Sequence, residues 1–256
     1  MHENDQYIKP HKITDEYYYV GTFRGPANLL VTGDGLVMID TSYPENLGEL
    51  LDNIRALGFD PMDIKHIIHT HGHLDHIGCT NALVRMTGAK TYLGAADAEY
   101  IADGNPIRSD IYAPYSFVPD VALQDGDVID FGGTKIRFVA TPGHTRGVMS
   151  LFMTLHDRGE PYLAGMFGGA GLNTLSDKFF EDGRFPKTMR DLYIASVDKI
   201  IDEPVDIHLG NHIGDNGGKI KMKWDGEGVN PYIANNTWRS FLSYRREKVV
   251  ALIRGE

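Results

Sequence analysis

Several features are scarce in this chain of 256 residues, and each scarcity narrows the classes of protein to which it can belong. The single cysteine, Cys79, rules out an intrachain disulfide and favours a reducing compartment. Nowhere do about 18 apolar residues follow one another, so we expect no membrane-spanning helix and no membrane partner. Lys and Arg number 25 against 35 Asp and Glu, and the net charge of −10 argues against a nucleic-acid partner, which needs a basic surface.

The N-terminal segment lacks the apolar core of a signal peptide, because no apolar run precedes residue 17. We therefore expect a cytoplasmic protein, although a mature exported form would begin in the same way. With 42% hydrophobic residues, the chain has the composition of a globular protein that buries its own core. We expect one domain over residues 1–256, and the composition leaves the oligomeric state open.

Hydrophobic periodicity divides the chain into strands and helices. Short apolar and β-branched runs bounded by turn residues predict strands at 17–23, 27–32, 36–39, 64–69, 90–93, 128–131, 134–140, 148–154, 162–164 and 205–209. Apolar residues at steps of three and four predict helices at 44–57, 74–86, 95–102, 187–201 and 238–253. Two mixed halves with outer helices favour an α/β fold of four layers, an αββα sandwich.

The most distinctive chemistry lies in the segment HTHGHLDH, residues 69–76, which holds four histidines and one aspartate. In an extended segment, His71 and His73 point the same way and can therefore meet one metal ion. Asp75 and His76 follow at the start of a predicted helix and point to a second position nearby. Imidazole and carboxylate ligands suit zinc, although iron or manganese would also accept them.

Further histidines follow two other predicted strands. The segment TPGHT, residues 141–145, presents His144 after a sharp turn, and HLGNH, residues 208–212, offers His208 and His212. All of them lie at strand ends or just beyond, where α/β folds place their chemistry. The residues alone leave open which of the last two histidines belongs to the site.

These segments resemble a known family. HTHGHLDH matches the His-x-His-x-Asp-His signature of the metallo-β-lactamase superfamily, and TPGHT follows at the expected distance. Asp40 in VMIDTS, together with TGAKTYLGAADAE, DGDVIDFGG and TPGHTRGVMSLF, resembles the third subclass of class B β-lactamases over most of the chain. The resemblance implies an αββα fold and a dinuclear zinc hydrolase, in which zinc-bound hydroxide attacks the carbonyl of a cyclic amide.

The resemblance also implies roles for individual residues. It implies a first zinc ion on His71, His73 and His144 and a second on Asp75, His76 and His212. Asp75 would in addition orient the nucleophile and relay its proton. Asp40 would accept a ligand N–H and fix its tautomer, with Thr145 and Thr70 as weaker candidates for a similar role.

Substrate contacts are expected from two segments. The long stretch 211–236 is rich in Gly and Asn, poorly patterned, and leaves directly from a ligand, so it is a candidate substrate wall. In the lactamases, small hydroxyl residues near Met166 touch the substrate carboxylate, but this chain has none from Met166 to Asn173. The expected contacts are Asn173, Trp224 and Tyr232.

The ligand set has a consequence for the substrate. The family's usual bridging aspartate is absent at Gly165-Met166, as it is in the third subclass. Five neutral histidines, one carboxylate, a hydroxide and two zinc ions sum to about +2, which favours a small anionic substrate. Two alternatives stay open: a housekeeping hydrolase of lactones, thioesters or other esters on the same site, and a non-hydrolytic metal-binding or diiron protein.

Overall fold

The computed structural model describes residues 7–102, 113–181, 185–224, 226–234 and 236–256. The strands in these ranges are β1 (His11–Lys12), β2 (Tyr17–Tyr19), β3 (Asn28–Thr32), β4 (Gly35–Ile39), β5 (Ile64–Ile68), β6 (Lys90–Gly94), β7 (Val121–Leu123), β8 (Val128–Phe131), β9 (Thr134–Ala140), β10 (Met149–Asp157), β11 (Glu160–Met166) and β12 (Ile207–Leu209). The α-helices are α1 (Leu47–Ala56), α2 (Leu74–Ile77), α3 (Thr80–Thr87), α4 (Ala95–Ala102), α5 (Asp177–Glu181), α6 (Met189–Ile200), α7 (Gly218–Lys221) and α8 (Thr237–Arg254). Short 3-10 turns span Pro44–Asn46, Pro61–Asp63, Ala113–Tyr115 and Asn173–Leu175. None of these described helices combines the length and the apolar character needed to cross a membrane.

The strands form two mixed sheets. The first follows the order β1-β2-β3-β4-β5-β6-β7, antiparallel as far as β4 and parallel from β4 to β7. The second follows β12-β11-β10-β9-β8 and is antiparallel except for β11 and β12, where Ala164 lies opposite Ile207. The carboxyl ends of β4, β5 and β6 therefore share one edge of the first sheet, and those of β9, β11 and β12 share one edge of the second.

The main core lies between the two sheets. Leu30 and Ile39 of the first sheet belong to one buried cluster with Phe138 and Leu151 of the second, and all four side chains are fully buried. Burying an aliphatic or aromatic side chain of this size contributes about 1.5–3 kcal/mol. Met166 is also fully buried in this cluster, so it packs in the core.

Helices cover the outer faces of both sheets. Leu50 and Ile54 of α1 and Leu83 of α3 are buried in a cluster with the first sheet. Val197 of α6 and Leu242 of α8 are buried in another cluster with the second sheet. The four layers are thus helix, sheet, sheet and helix, and the predicted αββα sandwich is confirmed.

Several predicted elements have other bounds in the structure, and two of these differences have a clear cause. The helix predicted over 74–86 is divided into α2 and α3 at Gly78, where a Cβ would lie 2.4 Å from Pro44 Cδ. The strand predicted over 17–23 ends at Tyr19, because Val20 and Gly21 bond to Ala27 O across a tight loop. A contact distant in sequence thus overrides the local pattern at Gly78, whereas a local turn does so after Tyr19.

The buried thiol of Cys79 provides a test of this packing. Cys79 is 1% exposed and donates to Tyr43 O at 3.1 Å, and burial raises the pKa of the thiol to about 12. Because only the thiolate attacks a disulfide reagent, we expect the native protein to be inert to dithionitrobenzoate near neutral pH. Unfolding in guanidinium should release one thiol, measured by the absorbance of thionitrobenzoate. Rapid reaction of the native protein would contradict this packing.

Candidate metal centre

A first cluster of three buried imidazoles lies where β5 and β9 end. His71 and His73 come from the extended segment after β5, and His144 comes from the loop after β9. One nitrogen of each ring lies within 4.8 Å of the others, and His71 Nε2 is 3.1 Å from His73 Nδ1. Three nitrogens converging in this way can hold a single ion.

A second cluster lies beside the first and joins α2 to the loop after β12. Asp75 Oδ2 is 3.3 Å from His76 Nε2 and 3.6 Å from His212 Nε2. The His71 and His76 ring centroids are 3.9 Å apart, so the two clusters are adjacent. The structure therefore brings together all six residues named as ligands, three in each cluster.

Oxygen acceptors fix the orientation of three of these rings. His71 Nδ1 donates to Gly168 O at 2.9 Å, and His144 Nδ1 donates to Gly171 O at 2.8 Å. His76 Nδ1 donates to Asp40 Oδ2 at 2.8 Å. Because these oxygens only accept, each Nδ1 carries the proton and each Nε2 is available as a ligand.

The surroundings of His76 Nε2 indicate whether a metal ion fits the second cluster. This atom is buried and makes no hydrogen bond of good geometry with the described residues, its nearest acidic oxygen being Asp75 Oδ2 at 3.3 Å. An unsatisfied buried polar atom is unfavourable unless something else binds it, and a cation beside Asp75 would do so. The residues of the second cluster therefore fit a metal ion, with donors suited to zinc.

Asp40 connects the end of β4 to the ligand segment. It is fully buried, and besides His76 it accepts from Thr70 N at 2.9 Å and Thr70 Oγ1 at 2.8 Å. Its φ of 60° lies in the left-handed region, which aspartate tolerates better than most residues. The structure thus places Asp40 and Thr70 against the ligands, where the resemblance implies them.

Asp97, at the start of α4, has a similar position but was not found from the sequence. It is fully buried and accepts from Gly72 N at 2.8 Å, Thr145 Oγ1 at 2.7 Å and Gly147 N at 2.7 Å. One carboxylate therefore holds both loops that carry the first cluster, and Thr145 acts through it. In the sequence, Asp97 stands out only as an acidic residue among alanines in the first turn of a predicted helix.

The charges of the cluster favour a bound cation. Burial and the neighbouring imidazoles hold the pKa of His71 well below its usual value, so its ring is neutral. Burial by itself raises the pKa of Asp75, but the nearby histidines lower it by more. The net pKa lies below its usual value, so the carboxyl is ionised. Burial lowers the pKa of His76, whereas Asp40 and Asp75 raise it, with a net rise to about 10. A metal ion on His76 would displace that proton.

The other histidine candidates have different environments. His208 is buried against the Trp238 and Phe241 rings, and burial lowers its pKa to about 3. It takes no part in either cluster, whereas His212 does. His69 donates from Nδ1 to the backbone oxygen of His76 at 3.1 Å and is likewise outside both clusters.

A cleft of about 310 Å³ opens above the clusters. Its lining residues are Arg24, Tyr43, His71, His73, Asp75, His144, Ala170, Gly171, Asn173, Asn211 and His212. Asn173 thus lies where a substrate contact was predicted. Asn211, which the sequence did not single out as a site residue, donates to Thr70 Oγ1 and Gly168 O, both at 3.0 Å, and so ties three site loops together.

The two aromatic candidates for substrate contact are placed away from this cleft. Tyr232 is 1% exposed and bonds through its hydroxyl to His11, while Trp224 packs on the core between the sheets. The reason is Asn230, whose side chain donates to Ile13 O and Asp157 Oδ1. These bonds draw the segment toward the first strands, so both aromatic residues have packing roles in this structure.

Two adjacent groups of potential metal ligands thus lie at the strand ends of this αββα sandwich. The family model for the metallo-beta-lactamase superfamily matches residues 20–157, which is more than half of the chain, and the protein belongs to this superfamily. The matched region contains the first cluster and the two buried carboxylates that bond to the ligand segment, Asp40 and Asp97.

Solved structures extend the likeness over the whole chain. BJP-1, a subclass B3 metallo-β-lactamase of Bradyrhizobium japonicum, is 27% identical, has a TM-score of 0.88, and is matched over 100% of this chain and 97% of that one. FEZ-1, a metallo-β-lactamase of Legionella gormanii, is 27% identical with a TM-score of 0.86, over 98% and 97% of the two chains. The resemblance to the third subclass is thus confirmed.

Curated relatives show shorter matches. Metallo-beta-lactamase domain-containing protein 1 of Xenopus laevis is 30% identical over 53% of this chain and 51% of its own length. The N-acyl homoserine lactonase AttM of Rhizobium radiobacter is 34% identical over 41% of each chain. The matches thus span about half or less of these curated relatives.

The Asp97 contacts predict an effect on metal binding. Asp97→Asn removes a charge-assisted acceptor from both loops of the first cluster, so we expect zinc affinity to fall by about 10- to 100-fold. Competition with a chromophoric chelator would measure it. Asp120→Asn is the matched control, since Asp120 also accepts from a threonine N–H and hydroxyl but lies in an exposed position. Equal zinc affinities in the two variants would contradict the role of Asp97.

Proposed function

We propose that this protein is a dinuclear zinc-dependent hydrolase that opens a cyclic amide or a related small anionic substrate. The observation that carries the proposal is the pair of adjacent clusters on the floor of one cleft, with His76 Nε2 buried beside the Asp75 carboxylate. His71, His73 and His144 would hold one ion, and Asp75, His76 and His212 the other. Iron or manganese could replace zinc on these donors.

Zinc bound here would act as a Lewis acid and lower the pKa of water to roughly 7. The protein's own part is positioning. Asp75 lines the cleft, and its carboxylate would orient an attacking water and accept its proton. Asn173 presents an amide at the cleft wall, where its N–H would bond to the substrate carbonyl.

A lactone or other ester is the second candidate substrate on the same site. Two observations favour it: the likeness to AttM, named as an N-acyl homoserine lactonase, and the absence of hydroxyl side chains from Met166 to Asn173. Attack on a lactam and on a lactone passes through the same tetrahedral arrangement, so the clusters serve both. The bond cleaved would then depend on the walls of the cleft.

The proposed ligand set predicts the metal stoichiometry. The double variant His71→Ala with His73→Ala removes two of the three nitrogens of the first cluster, so we expect it to lose one or both of two bound zinc equivalents. Elemental analysis after gel filtration would measure this. His156→Ala, in an exposed ion pair with Glu16, is the control and should keep both equivalents. If the double variant still binds two equivalents, the metals lie elsewhere.

Hydrolysis is tested with a chromogenic cephalosporin and with an N-acyl homoserine lactone. We expect zinc-loaded protein to turn over at least one of them and a strong chelator to abolish the activity. Turnover of the lactone alone would select the second candidate. Turnover that persists after the metal has been removed would contradict the zinc mechanism, and no turnover of either substrate by protein with two zinc ions would exclude the proposed substrates.

A further inference from the structure

Arg24 lies at the mouth of the cleft on a short turn between β2 and β3. The turn is closed by Thr22 N to Gly25 O at 2.9 Å and by Gly25 N to Thr22 Oγ1 at 3.0 Å. The Arg24 side chain is exposed and lines the cleft that contains both clusters. Arg24 therefore borders the space that a substrate would occupy.

Neighbouring residues hold this turn rigidly. Tyr19 donates its hydroxyl to Thr22 O at 2.7 Å, and Asn46 donates to Thr22 Oγ1 at 3.0 Å. Ser42 Oγ donates to Gly25 O at 3.1 Å, and a Cβ on Gly25 would lie 2.1 Å from Ser42 Oγ. With the turn fixed before binding, less ordering is needed when a ligand engages Arg24.

The charge of Arg24 is uncompensated by other side chains. It forms no salt bridge with any residue in the described part of the chain, and its contact is with the Tyr43 ring, 5.9 Å from the guanidinium carbon. Among the described residues that line the cleft, it is the single lysine or arginine. In a protein with a net charge of −10, a guanidinium without an acidic partner at this position is suited to binding an anionic group of a ligand.

The opposite wall provides no comparable group. The segment Met166–Asn173 contributes Ala170, Gly171 and Asn173 to the cleft, with no hydroxyl and no cation in its sequence. Recognition of a charged substituent must therefore come from elsewhere. Arg24 offers a planar fork of donors that matches a carboxylate in a bidentate geometry.

We propose that Arg24, supported by Tyr43, is the specificity-determining residue that binds a carboxylate on the substrate, at a distance from the bond that is cleaved. This rests on the proposed hydrolase function, which it deepens by naming the substrate class: small cyclic amides or esters that carry a second, carboxylate-bearing arm. Neutral substrates of the same shape bind without this contact.

The kinetic test compares Arg24→Ala and Arg24→Lys with the parent protein, on a cephalosporin and on its methyl ester. Loss of a charge-assisted hydrogen bond lowers kcat/KM by about tenfold to a hundredfold. We expect Arg24→Ala to show a fall of this size on the free acid, chiefly through a higher KM. The ester should change by less than about threefold, and Arg24→Lys should be intermediate on the acid because it keeps the charge without the fork. Arg55→Ala, in an exposed helix ion pair, is the matched control. Equal losses on acid and ester would overturn the proposal.

A binding test separates this proposal from the hydrolytic one. Calorimetry would compare succinate, glutarate and adipate with their half-amides on zinc-loaded protein, because each pair keeps one carboxylate for the metals and differs at the far end. We expect the parent to prefer at least one diacid over its half-amide by about tenfold, and Arg24→Ala to lose the preference while keeping the parent's zinc content. The absence of a preference in the parent, or its persistence in Arg24→Ala, would overturn the role of Arg24. Failure of hydrolysis with this preference intact would instead refute the proposed reaction.

Discussion

The arrangement of the centre depends on buried carboxylates that accept backbone N–H groups from the ligand loops. Asp40 binds Thr70 N and Asp97 binds Gly72 N, so the backbone is held at two points in the segment that carries His71 and His73. A loop of this kind lacks the regular backbone hydrogen bonds of a strand or helix. Without these carboxylates, its buried N–H groups would have no hydrogen-bond acceptor. Each carboxylate accepts three hydrogen bonds, which offsets the unfavourable burial of its charge. The same contacts set the positions of the imidazoles, so packing and metal geometry are determined together.

The sheets explain why these anchors can act on residues so distant in sequence. Parallel pairing from β4 to β6 brings Asp40, the ligand segment and the start of α4 to one edge. In the second sheet, the ends of β9, β11 and β12 place His144, the Gly168–Gly171 backbone and His212 opposite them. Close approach requires small residues there, since a Cβ on Gly168 would lie 2.0 Å from Met149 O. The carbonyls of Gly168 and Gly171 can then reach His71 and His144 and fix their tautomers.

The fold and much of the centre could be predicted from the sequence, because their signals are local. Periodicity located most strands and helices, and the spacing of the histidines indicated two metal positions. His208 and His212 could not be separated in this way, since only the packing of His208 against Trp238 and Phe241 removes it from the site. Asp97 escaped detection because its partners Gly72 and Thr145 lie 25 and 48 residues away. Trp224 and Tyr232 were expected at the substrate wall, but Asn230 bonds to Ile13, which is 217 residues distant, and draws their segment to another face.

The division between floor and walls of the cleft also bears on substrate choice. The floor consists of imidazoles and one carboxylate, and with zinc bound as proposed it would polarise any carbonyl placed over it. A lactam, a lactone and a thioester differ little at that carbonyl, so a pocket discriminates among them mainly through contacts made elsewhere on the molecule. Those contacts would come from the Asn173 side chain and from the turn that carries Arg24, which shares no hydrogen bond with Asp40 or Asp97 among the described residues. Changes in the Arg24 turn can therefore alter which substrate binds while leaving the proposed metal ligands in place.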